Sequence, residues 1–330
     1  MSATSKTRLI TDLVRSATRV GAQRILGRRP RSNWTFGKQW MVELLRREMV
    51  AISTMSIPDQ RRHFEERSQM VPRPEVKGVR REQREVAGLE ACWFVPDNAM
   101  PGATLVYWHG GGYCVCSIAT HTELISRLAR ASGCRTLAVN YRLAPENPYP
   151  AALDDALSVM RWLRDEGYEP HRTIVAGDSA GGNLSLASIL SLQRDGEPLP
   201  AACVGISPWV DVYSERPSHR DNEASDYIGP YREAGWPEAF VGDADPKDPL
   251  VTPLYGKYDG FPPILLQVGG AEVLRDDVYE LFRRMESMDV EVTYREWPEM
   301  AHVWHLMTPL VPEAKGAIAE IGAFVREHLT

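Results

Sequence analysis

Two patterns of apolar and polar positions divide the 330-residue chain. Apolar residues recur at helical spacing through residues 1–75, for example in GKQWMVELLRREMVAISTM and PDQRRHFEERSQM, and this periodicity predicts an N-terminal helical arm. The proline-flanked stretch VPRPEVKG interrupts the periodicity and predicts a linker. Short apolar runs then alternate with amphipathic stretches, which predicts strands and helices in alternation over residues 76–330.

The apolar runs of this second region predict its strands. REVAGLEACWFVP predicts a hairpin, and further strands are predicted for ATLVYW, RTLAVNY, TIVA, AACVGISPWV, PPILLQVGG and VEVTYREW. Helices are predicted between them, including residues 122–131 and a last helix over residues 312–328. Residues 211–258 lack strong periodicity and are rich in Pro, Asp, Tyr and Gly, so we expect an insertion with short helices. The alternation predicts an α/β fold with a mostly parallel central sheet flanked by helices.

Four unusual loops follow predicted strands of this sheet: HGGGY, GDSAGG, VGGAE and PEMAH. The carboxyl ends of parallel strands meet at one edge, and ligands bind beyond that edge in open α/β sheets. We therefore expect the four loops to form one site.

Ser179 in GDSAGG is the candidate nucleophile of that site. A serine hydroxyl is weakly nucleophilic at pH 7 and needs a base, a group that orients the base, and donors for the oxyanion. A Gly-x-Ser-x-Gly motif alone is weak support, because a serine can also cap a helix at a tight turn. The position between a predicted strand and a predicted helix favours the nucleophile.

The base and the acid are expected from the last two loops. His302 is the candidate base, with His305 as its rival; either could instead be a structural histidine. Glu272 is nearest to the end of its strand and is the candidate acid, with Asp276 as runner-up. Asp276 and Asp277 could instead complement a helix dipole. The His-x-x-His spacing suggests metal only weakly, because no third ligand is evident, and we expect no metal.

The glycines of HGGG at residues 109–112 predict an oxyanion hole. Consecutive glycines leave the backbone bare, so the N–H groups of Gly111 and Gly112, with that of Ala180, are placed to hold an oxyanion. A flexible turn is the alternative. His109 is expected to brace the loop.

Composition and charge exclude some partners. A formal net charge of −6 argues against nucleic acid, and no apolar run reaches the roughly 18 residues of a membrane span. The five cysteines form no Cys-x-x-Cys pair, so we expect reduced thiols in a cytoplasmic protein. The arginine-rich N terminus does not resemble a signal peptide. A helical arm packed on the domain is the preferred interpretation there, and a transit peptide or a membrane-surface helix are alternatives.

The motifs HGGGY, NYRLAPENPYPAALDD, GDSAGGNL, SPW, VGGAEVLRDD and MAHVWHL occur in an order that resembles the α/β-hydrolase fold of the hormone-sensitive-lipase-like family. The resemblance runs from about Val86 to the C terminus. The site residues that it implies are Ser179 as nucleophile, His302 as base, Glu272 as acid, and Gly111, Gly112 and Ala180 as oxyanion donors.

The resemblance also implies an activity. It indicates a serine carboxylesterase that hydrolyses short-chain acyl esters of small molecules through an acyl-serine intermediate, with no cofactor. A homodimer is compatible with it. The helical arm and the insertion are expected to cap the site. The aromatic residues expected to line the substrate pocket, unless they serve cap-to-core packing, are Trp40, Tyr113, Trp209 and Trp304.

Two other functions are compatible with the fold. One is a small-molecule receptor that has lost turnover, which the presence of His302 disfavours. The other is an amidase or deacetylase that uses the same triad. The chain departs from the family pattern in two respects: Glu272 stands where many relatives have aspartate, and the N-terminal arm is longer than usual.

Overall fold

The computed structural model describes residues 3–70, 75–308 and 310–329, without the side chains of residues 3–10, 12 and 70. The N-terminal arm is helical, as predicted, and consists of α1 (Ala3–Ile25), α2 (Phe36–Ile52) and α3 (Ile57–Met70). Thr35 begins α2 by accepting a hydrogen bond from the backbone N–H of Lys38. Residues 71–74 of the predicted linker lie outside the described residues.

Eight strands form one sheet in the order β1-β2-β4-β3-β5-β6-β7-β8. Strands β1 and β2 are the predicted hairpin; β2 is antiparallel to β1 and β4, and the other neighbours are parallel. The strands are β1 (Val79–Val86), β2 (Leu89–Pro96), β3 (Thr104–Trp108), β4 (Arg135–Val139), β5 (Thr173–Asp178), β6 (Ala202–Ile206), β7 (Ile264–Gly269) and β8 (Val292–Trp297). The predicted mostly parallel sheet is confirmed.

The helices that cover the sheet are α4 (Ile118–Ser132), α5 (Ala151–Asp165), α6 (Ala180–Arg194), α9 (Arg275–Glu286) and α10 (Glu313–Glu327). Helix α4 begins four residues earlier than predicted. Ser117 and Thr120 form a capping box that adds a first turn, and polar side chains in that turn hide the helical periodicity.

The core consists of two apolar layers, one on each face of the sheet. Trp108 and Val175 belong to the layer under α5, α6 and α9. Tyr107 and Ile174, their neighbours in sequence, belong to the layer under α4 and α10. Strands β3, β5, β6 and β7 are buried along their whole length, as expected for parallel strands covered on both faces.

The insertion at residues 211–258 contains short helices, as predicted: α7 (Pro217–Asp221), α8 (Trp236–Val241) and a 3₁₀ turn at Pro253–Tyr255. It meets the N-terminal arm where Trp236 Nε1 donates to Gln60 Oε1 at 2.7 Å. Across the described part of the chain, the helices all lack the combination of length and apolar character that crossing a bilayer requires.

Candidate active site

The four predicted loops all leave the carboxyl edge of the parallel strands. They follow β3, β5, β7 and β8, and a fifth loop, after β6, begins at Ser207 and joins them. No role was predicted for this fifth loop, although it contains the SPW motif.

Ser179 forms a sharp turn between β5 and α6. Its φ of 53° and ψ of −117° lie in a region that residues other than glycine seldom adopt, which indicates local strain. The turn is held by backbone hydrogen bonds: Ser179 N–H donates to Ile206 O, and Trp209 N–H donates to Ser179 O, both at 2.9 Å. The side chain is half-buried, so the hydroxyl is presented at the edge of the sheet.

Two glycines permit this turn because α6 approaches the sheet very closely. A Cβ on Gly181 would lie 2.0 Å from the carbonyl oxygen of Trp108, and one on Gly177 would lie 2.2 Å from that of Gly181. Any side chain at these positions would push α6 and Ser179 away from the sheet.

Glu272 and His302 form a buried pair beside this turn. Glu272 Oε2 lies 3.0 Å from His302 Nδ1, and both side chains are almost fully buried. The other oxygen, Oε1, accepts hydrogen bonds from Ser207 Oγ at 2.7 Å and from Gly269 N–H at 2.6 Å. A carboxylate at Nδ1 fixes the tautomer and leaves Nε2 available to take a proton.

The electrostatic surroundings make His302 a stronger base. Burial by itself lowers its pKa, but the hydrogen bond and charge of Glu272 outweigh it, aided by the charges of Asp226 and Asp178, so the pKa is raised above its usual value. Asp178 directly precedes Ser179, which places the imidazole within electrostatic reach of the serine turn.

The Ser179 hydroxyl makes no hydrogen bond to His302 among the contacts of the described residues. The two are connected through the loop after β6. Ser179 bonds to Ile206 and Trp209, which flank Ser207 and Pro208, and Ser207 Oγ accepts from Val303 N–H at 3.3 Å. Hydrogen bonds between nucleophile and base are often long before substrate binds.

Asp226, which was not predicted from the sequence, adds a second carboxylate to the pair. Its Oδ1 accepts from His302 N–H at 3.1 Å and its Oδ2 from Val273 N–H at 2.8 Å. Burial, with the nearby charge of Glu272, raises the pKa of Asp226 despite the opposing charge of His302. Ligand atoms of Asp226, Glu272 and His302 lie within 4.8 Å of one another, as in some metal sites. Protein donors already occupy the carboxylate oxygens, so the cluster is suited to proton chemistry.

The alternative bases and acids lie elsewhere. His305 Nε2 contacts Gln267 Oε1 at 2.8 Å, and burial lowers the His305 pKa to about 3. Asp276 accepts from Ser218 N–H at 2.9 Å, and Asp277 pairs with Arg216 and His219 of the insertion. None of these three side chains is hydrogen-bonded or ion-paired to His302 among the interactions of the described residues.

Asp178 anchors the glycine loop to the serine turn. Its Oδ1 accepts from Gly110 N–H at 3.0 Å and from the Tyr107 hydroxyl at 2.5 Å, and His121 Nε2 lies 3.3 Å from Oδ2. Burial favours the neutral acid, but the charge and hydrogen bond of His121, with the Tyr107 hydroxyl, hold the pKa of Asp178 at about 2. The loop after β3 is thus tied to the residue before Ser179.

The glycine loop has left-handed backbone at Gly111 (φ 113°) and Gly112 (φ 58°). A Cβ on Gly111 would lie 2.2 Å from Val115 O, and one on Gly112 would lie 2.4 Å from the Trp236 ring. The N–H groups of these two glycines and of Ala180 find no acceptor within the described ranges, so they are available to a ligand.

His109 braces this loop, in agreement with its expected structural role. Its ring stacks on Tyr141 at 4.4 Å, and the Tyr141 hydroxyl donates to His109 O at 2.7 Å. Burial, with the nearby His121, lowers the pKa of His109 to about 4, which keeps the ring neutral near pH 7.

Two of the four expected pocket residues pack elsewhere. Trp40 Nε1 donates to Ser16 Oγ of α1 at 2.9 Å, and Trp304 packs on His305 in a cluster with Met300. Trp40 is part-buried against α1 and Trp304 is fully buried, so both rings serve helix and loop packing.

The other two expected residues, Tyr113 and Trp209, belong to an aromatic group beneath the insertion. Tyr113 stacks on Phe240 at 3.8 Å, and Trp209 lies 6.1 Å from the same ring. Two further aromatic residues near the site were not predicted: Tyr227, whose ring lies 6.0 Å from that of His302, and Trp236, which lies against Gly112.

The chain is similar to known proteins both in sequence and in fold. Residues 105–306 match a family model described as the alpha/beta hydrolase fold. An acetyl-hydrolase of Streptomyces hygroscopicus is 43% identical over 237 residues, 72% of this chain and 79% of that protein. An ethyl acetate hydrolase of Pseudomonas putida is 34% identical over 242 residues, 71% of this chain and 76% of that protein. An esterase from the bacterial hormone-sensitive lipase (HSL) family, known from its crystal structure, is 37% identical and superimposes with a TM-score of 0.81. The match covers 88% of this chain and 98% of the esterase chain.

Proposed function

The chain belongs to the α/β-hydrolase fold family, within its hormone-sensitive-lipase-like group of carboxylic ester hydrolases, and from this membership we propose that Ser179, His302 and Glu272 hydrolyse short-chain acyl esters. The observation that carries the proposal is the buried contact between Glu272 and His302 Nδ1, at the edge of the sheet where Ser179 turns into α6. It orients an imidazole of raised basicity with Nε2 free.

The proposed reaction has two halves. Ser179 Oγ attacks the ester carbonyl while His302 Nε2 takes the hydroxyl proton, and Glu272 stabilises the imidazolium through Nδ1–H. His302 then gives the proton to the leaving alcohol, which departs and leaves an acyl-serine. Water, deprotonated by His302, attacks this acyl group; the carboxylic acid leaves and Ser179 recovers its proton.

The oxyanion of each tetrahedral intermediate is proposed to lie against the N–H groups of Gly111, Gly112 and Ala180. All three are free of acceptors among the residues that the structure describes, and the last begins α6, whose N-terminal dipole favours negative charge. One such donor is typically worth about 3 to 4 kcal/mol of transition-state stabilisation.

A short acyl group is proposed from the surroundings of that oxyanion site. The indole of Trp236 lies against Gly112, and Tyr227 lies near His302, so aromatic rings restrict the space on two sides. The relatives named acetyl-hydrolase and ethyl acetate hydrolase agree with a small acyl group. No observation favours a receptor or an amidase over an esterase.

The arm at residues 1–75 and the insertion at residues 211–258 are proposed to form a cap on the catalytic domain at residues 76–330. Support comes from the contact between Gln60 and Trp236 and from the position of Trp236 on the glycine loop. A cytoplasmic location and a homodimer also stay predictions. No disulfide joins the five cysteines in the described part of the chain, which agrees with a reducing compartment, and light scattering tests the dimer.

The decisive experiment is active-site labelling. A fluorophosphonate probe is expected to modify Ser179 of the purified protein, and p-nitrophenyl butyrate is expected to be hydrolysed with an initial burst. Ser179→Ala should abolish both. Labelling of another residue, or hydrolysis that survives the substitution, would refute the proposed mechanism.

A further inference from the structure

Asp226 reaches the Glu272–His302 pair from the insertion, and none of the loops that carry the proposed triad contributes it. The hydrogen bonds to its carboxylate come from backbone N–H groups of two loops, one after β7 and one after β8. The carboxylate therefore sets the spacing between the loop of the acid and the loop of the base. The side chain is completely buried, so water does not compete for these bonds.

The residues just before Asp226 are hydrogen-bonded to the loop that carries Glu272. We call residues 222–226 the clasp, because several of them form hydrogen bonds with the loop that carries Glu272. Asn222 Nδ2 donates to Glu272 O at 2.7 Å, and Ser225 Oγ donates to Ala271 O at 3.1 Å.

The N-terminal arm secures the clasp from its other side. Arg46 of α2 donates to Asp226 O at 3.2 Å and pairs with the Glu223 carboxylate at 2.9 Å. The arm, the clasp and the His302 loop are thereby connected through hydrogen-bonded neighbours.

Building on the proposed esterase function, we propose that Asp226 is a positioning residue of this site, which fixes the His302 loop against the Glu272 loop and places a second negative charge behind the imidazole. Fixing the two loops against each other requires only a hydrogen-bond acceptor at position 226. Placing a negative charge near the imidazole requires an ionised carboxylate. An experiment can therefore separate the two roles.

Several other titratable or charged groups lie around Asp226 and His302: Glu272, Asp178, Tyr227, His305 and Arg46. Burial lowers the pKa of His305 to about 3 and raises that of Tyr227, so both are neutral near pH 7. The negative charges that favour the imidazolium therefore come from Glu272, Asp226 and Asp178. Removing the charge of Asp226 should leave His302 a weaker base.

The test is Asp226→Asn, which keeps the shape of the side chain and removes its charge. Two readouts report on His302: its imidazole pKa by NMR of histidine-labelled protein, and the acid limb of kcat/KM for p-nitrophenyl butyrate. We expect both to move to lower pH by about one unit. Asp226→Glu, which restores the charge, should move the limb back toward that of the wild type.

A matched control is Asp211→Asn, which removes another buried carboxylate of the insertion, one that pairs with Arg216 at 2.7 Å. It should leave the His302 titration unchanged. A folded Asp226→Asn variant with the wild-type titration and acid limb would overturn the inference, as would an equal shift in the control.

Two further outcomes keep the inference separate from the proposed function. If Asp226→Asn does not fold, the ionisation of Asp226 in the wild type decides. Carboxyl NMR of aspartate-labelled protein should show Asp226 ionised over the pH range in which His302 titrates, and a carboxyl group that stays neutral there would refute the role. A wild-type protein that neither cleaves esters nor reacts with a fluorophosphonate would refute the proposed function, while the NMR titration would still test Asp226.

Discussion

The hydroxyl of Ser207 lies 2.7 Å from Oε1 of Glu272, and this bond ties the loop after β6 to the residue that orients the imidazole. The same hydroxyl accepts from the backbone N–H of Val303, the residue after His302. One small side chain thus contacts both the acid and the loop of the base.

Replacing Ser207 with alanine should lower kcat by about ten- to a hundredfold with little change in KM. The substitution leaves Glu272 Oε1 with only the N–H of Gly269, and a hydrogen bond to a charged group is worth about 1.5 to 3 kcal/mol. Steady-state kinetics with p-nitrophenyl butyrate measures the effect. Ser188→Ala is the control, because the Ser188 hydroxyl donates to Ser185 O within α6. Equal losses in both variants would contradict the prediction.

Glu272→Gln should lose about a thousandfold or more in kcat, whereas Asp276→Asn should stay within about tenfold of the wild type. An amide at position 272 no longer selects the tautomer with Nδ1–H, and tautomer selection is worth this much in comparable triads. Asp276 contacts Ser218 and Arg275 and does not touch the imidazole. The reverse order of losses in the same kinetic assay would transfer the role of acid to Asp276.

Trp236→Ala should broaden the range of accepted acyl chains. Removing the indole from Gly112 opens space beside the proposed oxyanion site, so kcat/KM for p-nitrophenyl octanoate should rise relative to the acetate. A series of p-nitrophenyl esters from acetate to decanoate measures this ratio. Trp40→Ala, which removes an indole that packs on α1, should leave the ratio unchanged. A ratio unaffected by Trp236→Ala would place the acyl group elsewhere.

Asp178 should make the fold sensitive to acid below pH 4. Its pKa is lowered to about 2 in the folded protein and is about 3.9 in an unfolded chain, so its stabilisation is complete above pH 4 and is lost as the pH falls toward 2. The difference corresponds to about 2 to 3 kcal/mol of unfolding free energy. Urea unfolding between pH 2 and pH 6 should show this loss in the wild type, and Asp178→Asn should lack it. Parallel curves for the two proteins would contradict the assignment.

The sequence predicted what local pattern determines. Strand β5 is a continuous apolar run, and the motif GDSAGG is contiguous in the sequence, so both can be identified locally. The carboxyl ends of parallel strands then bring such loops together at one edge of the sheet. Asp226 and Ser207 were not predicted, because their partners are about 50 to 100 residues away in the chain and the insertion has no periodicity that fixes its course.

The positions of the expected pocket residues also depend on tertiary packing that the local sequence pattern does not determine. Trp40 occupies a helix in the arm, and only the packing of α1 against α2 decides that its indole bonds to Ser16. The choice between His302 and His305 also depended on a tertiary contact, because Gln267 of β7 binds the second histidine. Residue type and spacing did not distinguish these roles.

The strained turn at position 179 is held in place by main-chain groups of residues 206 and 209. The Ser179 hydroxyl takes no part in these bonds. Ser179→Ala should therefore keep the backbone conformation of the turn and remove only the nucleophilic oxygen. An inert protein of this kind would retain an uncleaved ester. Mass spectrometry of small molecules that co-purify with it would then offer a direct route to the physiological substrate.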